Sequence, residues 1–278
     1  MVTIILFKKL SNVQIYRMQF NIIGNPPYIG KGEKFYLRVM SECEKFADSA
    51  VWIVPTDFVD NPRIKENINN KHIAILNERF ESFDRIETVI GDAKFDEANF
   101  FSDVGIFVFN DKKRDLYDLR YNRFSDPEKY KEITEIVDAY LVDKKTIGTE
   151  QGKKNTWYIQ LSEIRGHRRC WDWPTLLSKE RYTPLQNVPE PTLRFKNQYI
   201  SFATTEECKN FIEYCNTDIA MFLNYLYKFN QHTKYDCIPV YDFTKPVDED
   251  WVINEIGLYK YKEFIKDEMK SFGYKTRG

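Results

Sequence analysis

The chain has 278 residues and a formal net charge of -1, with 42% hydrophobic and 30% charged residues. That length can bury a sizeable core and fits one large or two small domains. The near-neutral balance excludes a globally basic nucleic-acid binder, so such a function requires a local patch.

Aromatic residues make up 16% of the chain, including 18 Tyr and 21 Phe. That content suits stacking on bases, and it suits a large aromatic core equally. Cys43, Cys170, Cys208, Cys215 and Cys237 show no C-x-x-C spacing. An odd, scattered set fits a reducing cytosol. His72, His167 and His232 are far apart in sequence and suggest no metal site. The apolar run over residues 1–7 is too short for a signal h-region or a membrane span.

In chain order, residues 2–7 are a candidate strand. Phe20-Asn21-Ile22-Ile23-Gly24 reads as a second strand, broken by Pro26 and Pro27. Proline fixes φ and removes a backbone donor, so Asn25-Pro26-Pro27-Tyr28 is a rigid turn. It leaves the Asn25 side chain and a proline carbonyl pointing outward at the strand's carboxyl end, where open α/β sheets bind ligands. The Asn25 amide oxygen and the Pro26 carbonyl can accept both hydrogens of one exocyclic amino group. Tyr28 can cover the flat face of the ring that carries it. A plain β-turn that ends a strand is the alternative.

Gly30 and Gly32 keep the next loop open. Tyr36, Val39, Met40, Cys43 and Ala47 recur at helical spacing and predict a helix over 34–47. Residues 50–55 predict a buried strand ended by Pro55, with Thr56 and Asp57 at its carboxyl end. Asp57 reads as a helix cap or as a neighbour of the pocket. A helix is predicted over 62–78 with Ile64, Ile68, Ile73 and Leu76 inward. Further strands are predicted over 85–90 and 104–109. Alternating strands and helices followed by two strands is an α/β pattern.

Residues 112–150 are strongly charged, and Asp126-Pro127 opens a helix through Tyr140. A second domain therefore begins between 112 and 125, giving domains 1–115 and 116–278. Residues 151–200 hold nine Lys and Arg against four acidic residues. Lys153, Lys154, Arg165, Arg168 and Arg169 are among them, interleaved with Trp157, Tyr158, Trp171, Trp173, Tyr182 and Tyr199. Basic groups bind phosphate and aromatics pack on sugar or base, so this stretch is the candidate DNA-facing surface. A solvated charged loop is the alternative. Thr204 followed by Glu206 and Glu207 offers a helix cap. Phe211, Ile212, Cys215, Ile219, Phe222, Leu223 and Leu226 then mark one or two packed helices.

The quartet NPPY resembles the motif of amino-methyltransferases, which move a methyl group from S-adenosylmethionine to a planar nitrogen. The order NPPY, helix, VWIVPTDFV, helix, IETVIGDAKF, SDVGIFVF resembles the catalytic half of type II N6-adenine DNA methyltransferases, in particular the Eco57I-like modification enzymes. The segment IPVYDFTKPVDEDWVINEIGLYKYKEFI resembles the closing segment that follows their recognition region. The resemblance runs from about Asn21 to Phe272. It is strongest over 25–110 and 198–266 and weakest over 112–197.

The resemblance implies a partial Rossmann-like methyltransferase sheet followed by a mixed α+β target-recognition domain. It implies catalytic roles for Asn25, Pro26, Pro27 and Tyr28, and an aromatic between the last two strands that stacks on a flipped adenine. Phe95 fits that place best, with Phe100 and Phe101 as competitors. Lys153, Lys154, Arg165, Arg168 and Arg169 would then face double-stranded DNA, whereas Asp242, Phe243 and Trp251 are structural. The implied setting is the cytoplasm of a bacterial or phage-infected cell, in a restriction-modification system.

The family's S-adenosylmethionine site is a glycine-rich turn upstream of NPPY, followed by an acidic residue after the next strand. Neither precedes Asn25, and Gly91, Gly148, Gly152, Gly166 and Gly257 close no strand–glycine–helix unit. The expectation is a chain without the cofactor half of the sheet. It is then a fragment, a subunit completed by an upstream polypeptide carrying the cofactor motif, or a decayed relative that binds DNA without methylating it. Such a sheet would have an open edge beside Phe20–Gly24, which residues 2–7 could cover by folding back. A protein-glutamine methyltransferase shares NPPY, but those enzymes end soon after the catalytic sheet.

Overall fold

The structure is a computed structural model, and it describes residues 5–8, 20–26, 35–60, 71–86, 104–110, 117–147, 157–160, 185–186, 199–227 and 236–275. The fold is mixed α/β, with a small mixed sheet, a second smaller sheet and eight α-helices among the described residues. The chain divides into two compact units, Met1–Ser125 and Asp126–Gly278. The expected boundary at 115/116 lies inside the first unit, because the 3-10 helix Tyr117–Arg123 packs against a helix of that unit at Asp57–Asp60.

The first unit holds a five-stranded sheet built from β1 (Ile5–Lys8), β2 (Phe20–Gly24), β3 (Ser49–Pro55), β4 (Phe80–Ile86) and β5 (Val104–Phe109). Their spatial order is β1-β2-β3-β5-β4. Only β2 and β3 run parallel, while β1 and β5 are antiparallel to their neighbours. The expected open edge beside β2 is therefore occupied: β1 folds back on it, from Ile5 opposite Ile23 to Lys8 opposite Phe20. The strand expected over 85–90 begins earlier: β4 starts at Phe80 and includes Arg85 and Ile86, while 87–90 lie outside the described residues. Phe80 is buried opposite Phe109, and that apolar pair extends the strand upstream. A register shift between Phe80 and Ser82 leaves Glu81 as an extra residue. Its carboxylate accepts from Asn110 Nδ2.

Period-2 alternation sorts the sheet into two faces. Ile22, Ala50, Trp52, Val54, Phe107 and Phe109 are all buried on one side. That side carries α1 (Phe35–Glu44), α2 (Asp57–Asp60) and α3 (Lys71–Arg79), which supply Tyr36, Leu37, Met40, Phe58, Val59, Ile73 and Leu76 to one cluster. The other face is more open: Ile23 is exposed, and Val51, Ile53, Ile106 and Val108 are half-buried. Ile73 and Leu76 point inward as the sequence predicts, whereas Ile64 and Ile68 lie outside the described residues. The predicted helix over 34–47 closes earlier, at Glu44, where a turn begins in which the Phe46 and Ala47 N–H groups both donate to the Cys43 carbonyl.

One polar network crosses this core. Glu44, 2% exposed, accepts from Trp52 Nε1 at 2.8 Å and from Arg79 Nε at 2.9 Å. Arg79 also donates to the carbonyls of Ala47 at 2.8 Å and Asp48 at 3.1 Å. Burial pushes the Glu44 carboxyl above its usual range, while the bonds from Trp52 and Arg79 pull it back. Each bond joins a different element, so α1, β3 and α3 are tied through one carboxylate.

The second unit contains α4 (Pro127–Leu141), a three-stranded antiparallel sheet, and helices α5 (Thr205–Cys215), α6 (Asp218–Tyr227), α7 (Glu249–Ile256) and α8 (Lys262–Lys275). Its strands are β6 (Trp157–Gln160), β7 (Leu185–Gln186) and β8 (Tyr199–Phe202), in the order β7-β6-β8. Asp126 caps α4 by accepting from the Lys129 N–H at 3.1 Å, with Pro127 in the first turn. Thr204 caps α5 by accepting from the Glu207 N–H at 3.2 Å, and Glu207 accepts from the Ala203 N–H at 3.1 Å. This resembles a capping box, with the returning bond going to the residue before the cap. α7 ends at Gly257, whose φ of 88° favours glycine, and the Leu258 N–H then reaches the Ile253 carbonyl at 2.9 Å. Tyr130 lies at the heart of this unit, with the Phe222 and Phe264 rings each at 5.5 Å and its hydroxyl donating to Glu268 at 2.7 Å. Among the described residues no helix is long and apolar enough to cross a membrane.

Glu44→Ala removes the acceptor for the buried Trp52 donor and the part-buried Arg79 donor and is expected to cost about 3 kcal/mol. Lys45→Ala breaks an exposed pair with Glu42, half-exposed on both sides, and is expected to cost less than about 1 kcal/mol. Urea denaturation of both variants checks the contrast, and equal losses would contradict it.

Candidate functional site

The candidate site lies at the end of β2. Burial alternates without a break from Ile22 to Pro26: Ile22, Gly24 and Pro26 are buried, and Ile23 and Asn25 are exposed. β2 itself ends at Gly24, and the alternating burial leaves Asn25 exposed as Ile23 is, on the side away from buried Gly24 and Pro26. Gly24 is required there: a Cβ on it would lie 2.2 Å from Trp52 Cζ3 and 2.6 Å from Cε3. Gly24 and Trp52 are register partners across the parallel pair.

The neighbouring elements converge on the same edge. β3 continues to Pro55, and the Thr56 carbonyl accepts from the N–H groups of Val59 at 2.9 Å and Asp60 at 3.0 Å, opening α2. The buried Thr56 hydroxyl donates to the buried Asp60 carboxylate at 2.7 Å. Asp57 is the first residue of α2. Val104, the first residue of β5, pairs with both Pro55 of β3 and Ile86 of β4. The carboxyl ends of β2, β3 and β4 and the amino end of β5 thus share one edge. Ile86 and Val104, the described residues on either side of 87–103, both stand at that edge, and Phe95, Phe100 and Phe101 lie in the intervening sequence, outside the described residues.

Of the predicted site residues, Asn25 and Pro26 are described and stand at this edge. Pro27, Tyr28 and Phe95 lie outside the described residues, as do Lys153, Lys154, Arg165, Arg168 and Arg169. The chain around the basic residues is partly placed. Lys153 and Lys154 precede β6, and Arg165, Arg168 and Arg169 fall in the connection from β6 to β7. Among the described residues no group of three or more His, Cys, Asp or Glu could hold a metal ion. Cys43, Cys208, Cys215 and Cys237 are buried free thiols, and burial raises Cys208 to about 12, too high for a reactive thiolate.

The sequence reading missed the Trp52–Glu44–Arg79 network. Its signal was present, since Glu44 follows Met40 by four positions on the apolar stripe of α1, where an acid requires a partner. Asp242, Phe243 and Trp251 have structural surroundings. Phe243 is buried against Phe202, Phe211 and Tyr214, and its carbonyl accepts from Asn210 Nδ2 at 2.9 Å. Trp251 packs edge-on against Tyr241 with half its surface exposed. Asp242 accepts from the Thr244 hydroxyl at 2.6 Å and pairs with Lys245 at 2.9 Å.

The chain matches no family model, no curated protein and no solved structure.

Hydrogen bonds from Lys245 and then Thr244 lower the Asp242 carboxyl to about 2. A carboxyl with a lower pKa in the folded state stabilises the fold above its unfolded value of about 4, and that contribution fades as pH falls toward about 2. Carboxyl NMR titration should give a midpoint near 2 for Asp242, and Lys245→Ala should move it up toward the ordinary aspartate range. An unmoved midpoint would remove Lys245 as the cause.

Proposed function

We propose that this chain is the catalytic and target-recognition part of a site-specific N6-adenine DNA methyltransferase. The observation that carries the reading is the position of Asn25, exposed at the carboxyl end of the parallel pair β2–β3, where α/β sheets bind ligands. The placement of Ile86 and Val104 at that edge supports it, because the stretch between them carries Phe95, the aromatic this reading needs for stacking on the base. The finer fold, a partial Rossmann-like methyltransferase sheet, belongs to the same proposal.

The chemistry follows from the amino group. The lone pair of adenine N6 is shared with the ring, so the nitrogen is a poor nucleophile. Acceptors on both of its hydrogens, the Asn25 amide oxygen and the Pro26 carbonyl, favour the more tetrahedral nitrogen of the transition state. This scheme needs no acidic base. The adenine must leave the duplex, which costs a few kcal/mol and is offset in part by stacking on Tyr28 and Phe95. Arg165, Arg168 and Arg169, with Lys153 and Lys154, would hold the phosphates.

S-adenosylmethionine is the methyl source this reading implies. Its glycine-rich cradle is not among the described residues: Gly24 is covered by Trp52, Gly105 lies within β5, Gly257 ends α7 and Gly273 lies within α8. The described residues therefore do not fit that cofactor, and an upstream polypeptide would supply its site. The sequence, in which none of Gly91, Gly148, Gly152, Gly166 and Gly257 closes a strand–glycine–helix unit, keeps a second reading open, a DNA-binding chain that transfers no methyl group.

Asn25→Ala, assayed with the cofactor-bearing polypeptide supplied, should abolish methyl transfer and leave duplex binding within a few-fold, since affinity comes mainly from phosphates. Equal loss of both would contradict the assignment, and absence of transfer by the unsubstituted assembly would favour the second reading. Replacing Arg168 and Arg169 together by Ala should weaken duplex binding and flatten its salt dependence by a slope of about 0.9 per lost phosphate contact. An unchanged slope places the DNA-binding face elsewhere.

A further inference from the structure

We propose that Trp52 is a positioning residue for the Asn25–Pro26 turn, an inference that rests on reading that turn as an acceptor pair for an adenine amino group. The argument starts from Gly24. The space its side chain would fill is taken by the Trp52 ring, so the backbone entering the turn lies directly on the indole. Where the ring stands, the turn stands.

The ring cannot slide. It is fully buried, and its Nε1 donates to Glu44 Oε1 at 2.8 Å. The other Glu44 oxygen accepts from Arg79, which also grips the Ala47 and Asp48 carbonyls. Asp48 in turn holds the start of β2. The Phe20 N–H donates to its carboxylate at 2.8 Å, and the Asp48 N–H donates to the Phe20 carbonyl at 2.8 Å. At the next position the Ser49 hydroxyl donates to the Asn21 side-chain oxygen at 2.6 Å. The five-residue strand is thus fixed at its amino end through Asp48 and at its carboxyl end through Trp52. Arg79 and Glu44 link the two anchors. A strand held at one end only could shift along β3, and an acceptor pair that must meet two hydrogens of one amino group tolerates little displacement.

The network lies on the side of the sheet opposite Asn25, because Gly24 and Asn25 alternate in direction. Trp52 therefore acts through the backbone and touches no substrate. Such a residue is exchangeable for packing purposes by another aromatic ring, but the tether to Glu44 requires the indole N–H.

The test uses the full chain with two probes, adenosine and purine riboside, which differ only by the 6-amino group. NMR titration gives both affinities, and the assigned Asn25 side-chain amide resonances report the turn. The unsubstituted chain should prefer adenosine by about fivefold, the size of one net hydrogen bond. Trp52→Phe should stay folded, shift the Asn25 amide resonances and reduce the preference to about twofold or less. Gly24→Ala should do the same by pushing a methyl group into the ring, and should it fail to fold, Trp52→Phe decides alone. Unmoved resonances with an intact preference in Trp52→Phe overturn the positioning role, even where stability falls. Equal binding of the two nucleosides by the unsubstituted chain overturns the acceptor-pair reading itself, and the proposal with it. The two failures are separate, because the second appears before any substitution is made.

Discussion

The contact between the Gly24 backbone and the Trp52 ring sets the spacing of the first unit's sheet where its candidate site begins. A side chain at position 24 would lie 2.2 Å from the indole, far inside van der Waals contact. Only glycine lets a fully buried tryptophan sit beside a parallel strand at that point. The ring then needs a partner for its N–H, because an unpaired buried donor is costly. Glu44 supplies the acceptor, and Arg79 compensates the charge that Glu44 brings into the core. A steric choice at one residue thus dictates a glycine, an aromatic, an acid and a base on β2, β3, α1 and α3.

The same constraint separates the two faces of the sheet. The face with Trp52 is packed by three helices and closed to solvent, whereas the Asn25 face is more open. Rigid support behind an accessible polar group is the arrangement a binding edge requires. The antiparallel entry of β5 between β3 and β4 puts Val104 at that edge, paired with Pro55 and Ile86. The second unit is organised differently. Its helices surround Tyr130 and an aromatic group of Phe202, Phe211, Tyr214 and Phe243, and its thin sheet carries the ends of the basic stretch.

Much of the local structure was legible in the residues. Pro26 and Pro27 mark the end of β2, Asp126-Pro127 the start of α4, and Thr204 with Glu207 the start of α5. Each rests on interactions within a few residues, which is why sequence reading reaches them. The strand expected from residue 85 begins earlier, at Phe80, because Phe80 pairs with Phe109, which is remote in sequence. The two compact units divide after Ser125, at the end of the 112–125 range expected for the boundary. Tyr117–Arg123 is charged and polar, and only its packing against α2 assigns it to the first unit.

The sequence by itself determined the strand that ends before Pro26, the helical stripes, the caps and the α/β class, since all follow from backbone chemistry and short-range periodicity. Tertiary structure alone decided that β1 lies against β2, that β5 runs antiparallel between β3 and β4, and that Glu44 belongs to Trp52 and Arg79. Strand order and buried polar pairing depend on which distant surfaces are removed from water together. No window of sequence contains both partners of the Glu44–Arg79 pair, thirty-five positions apart, so its logic appears only once the chain has folded.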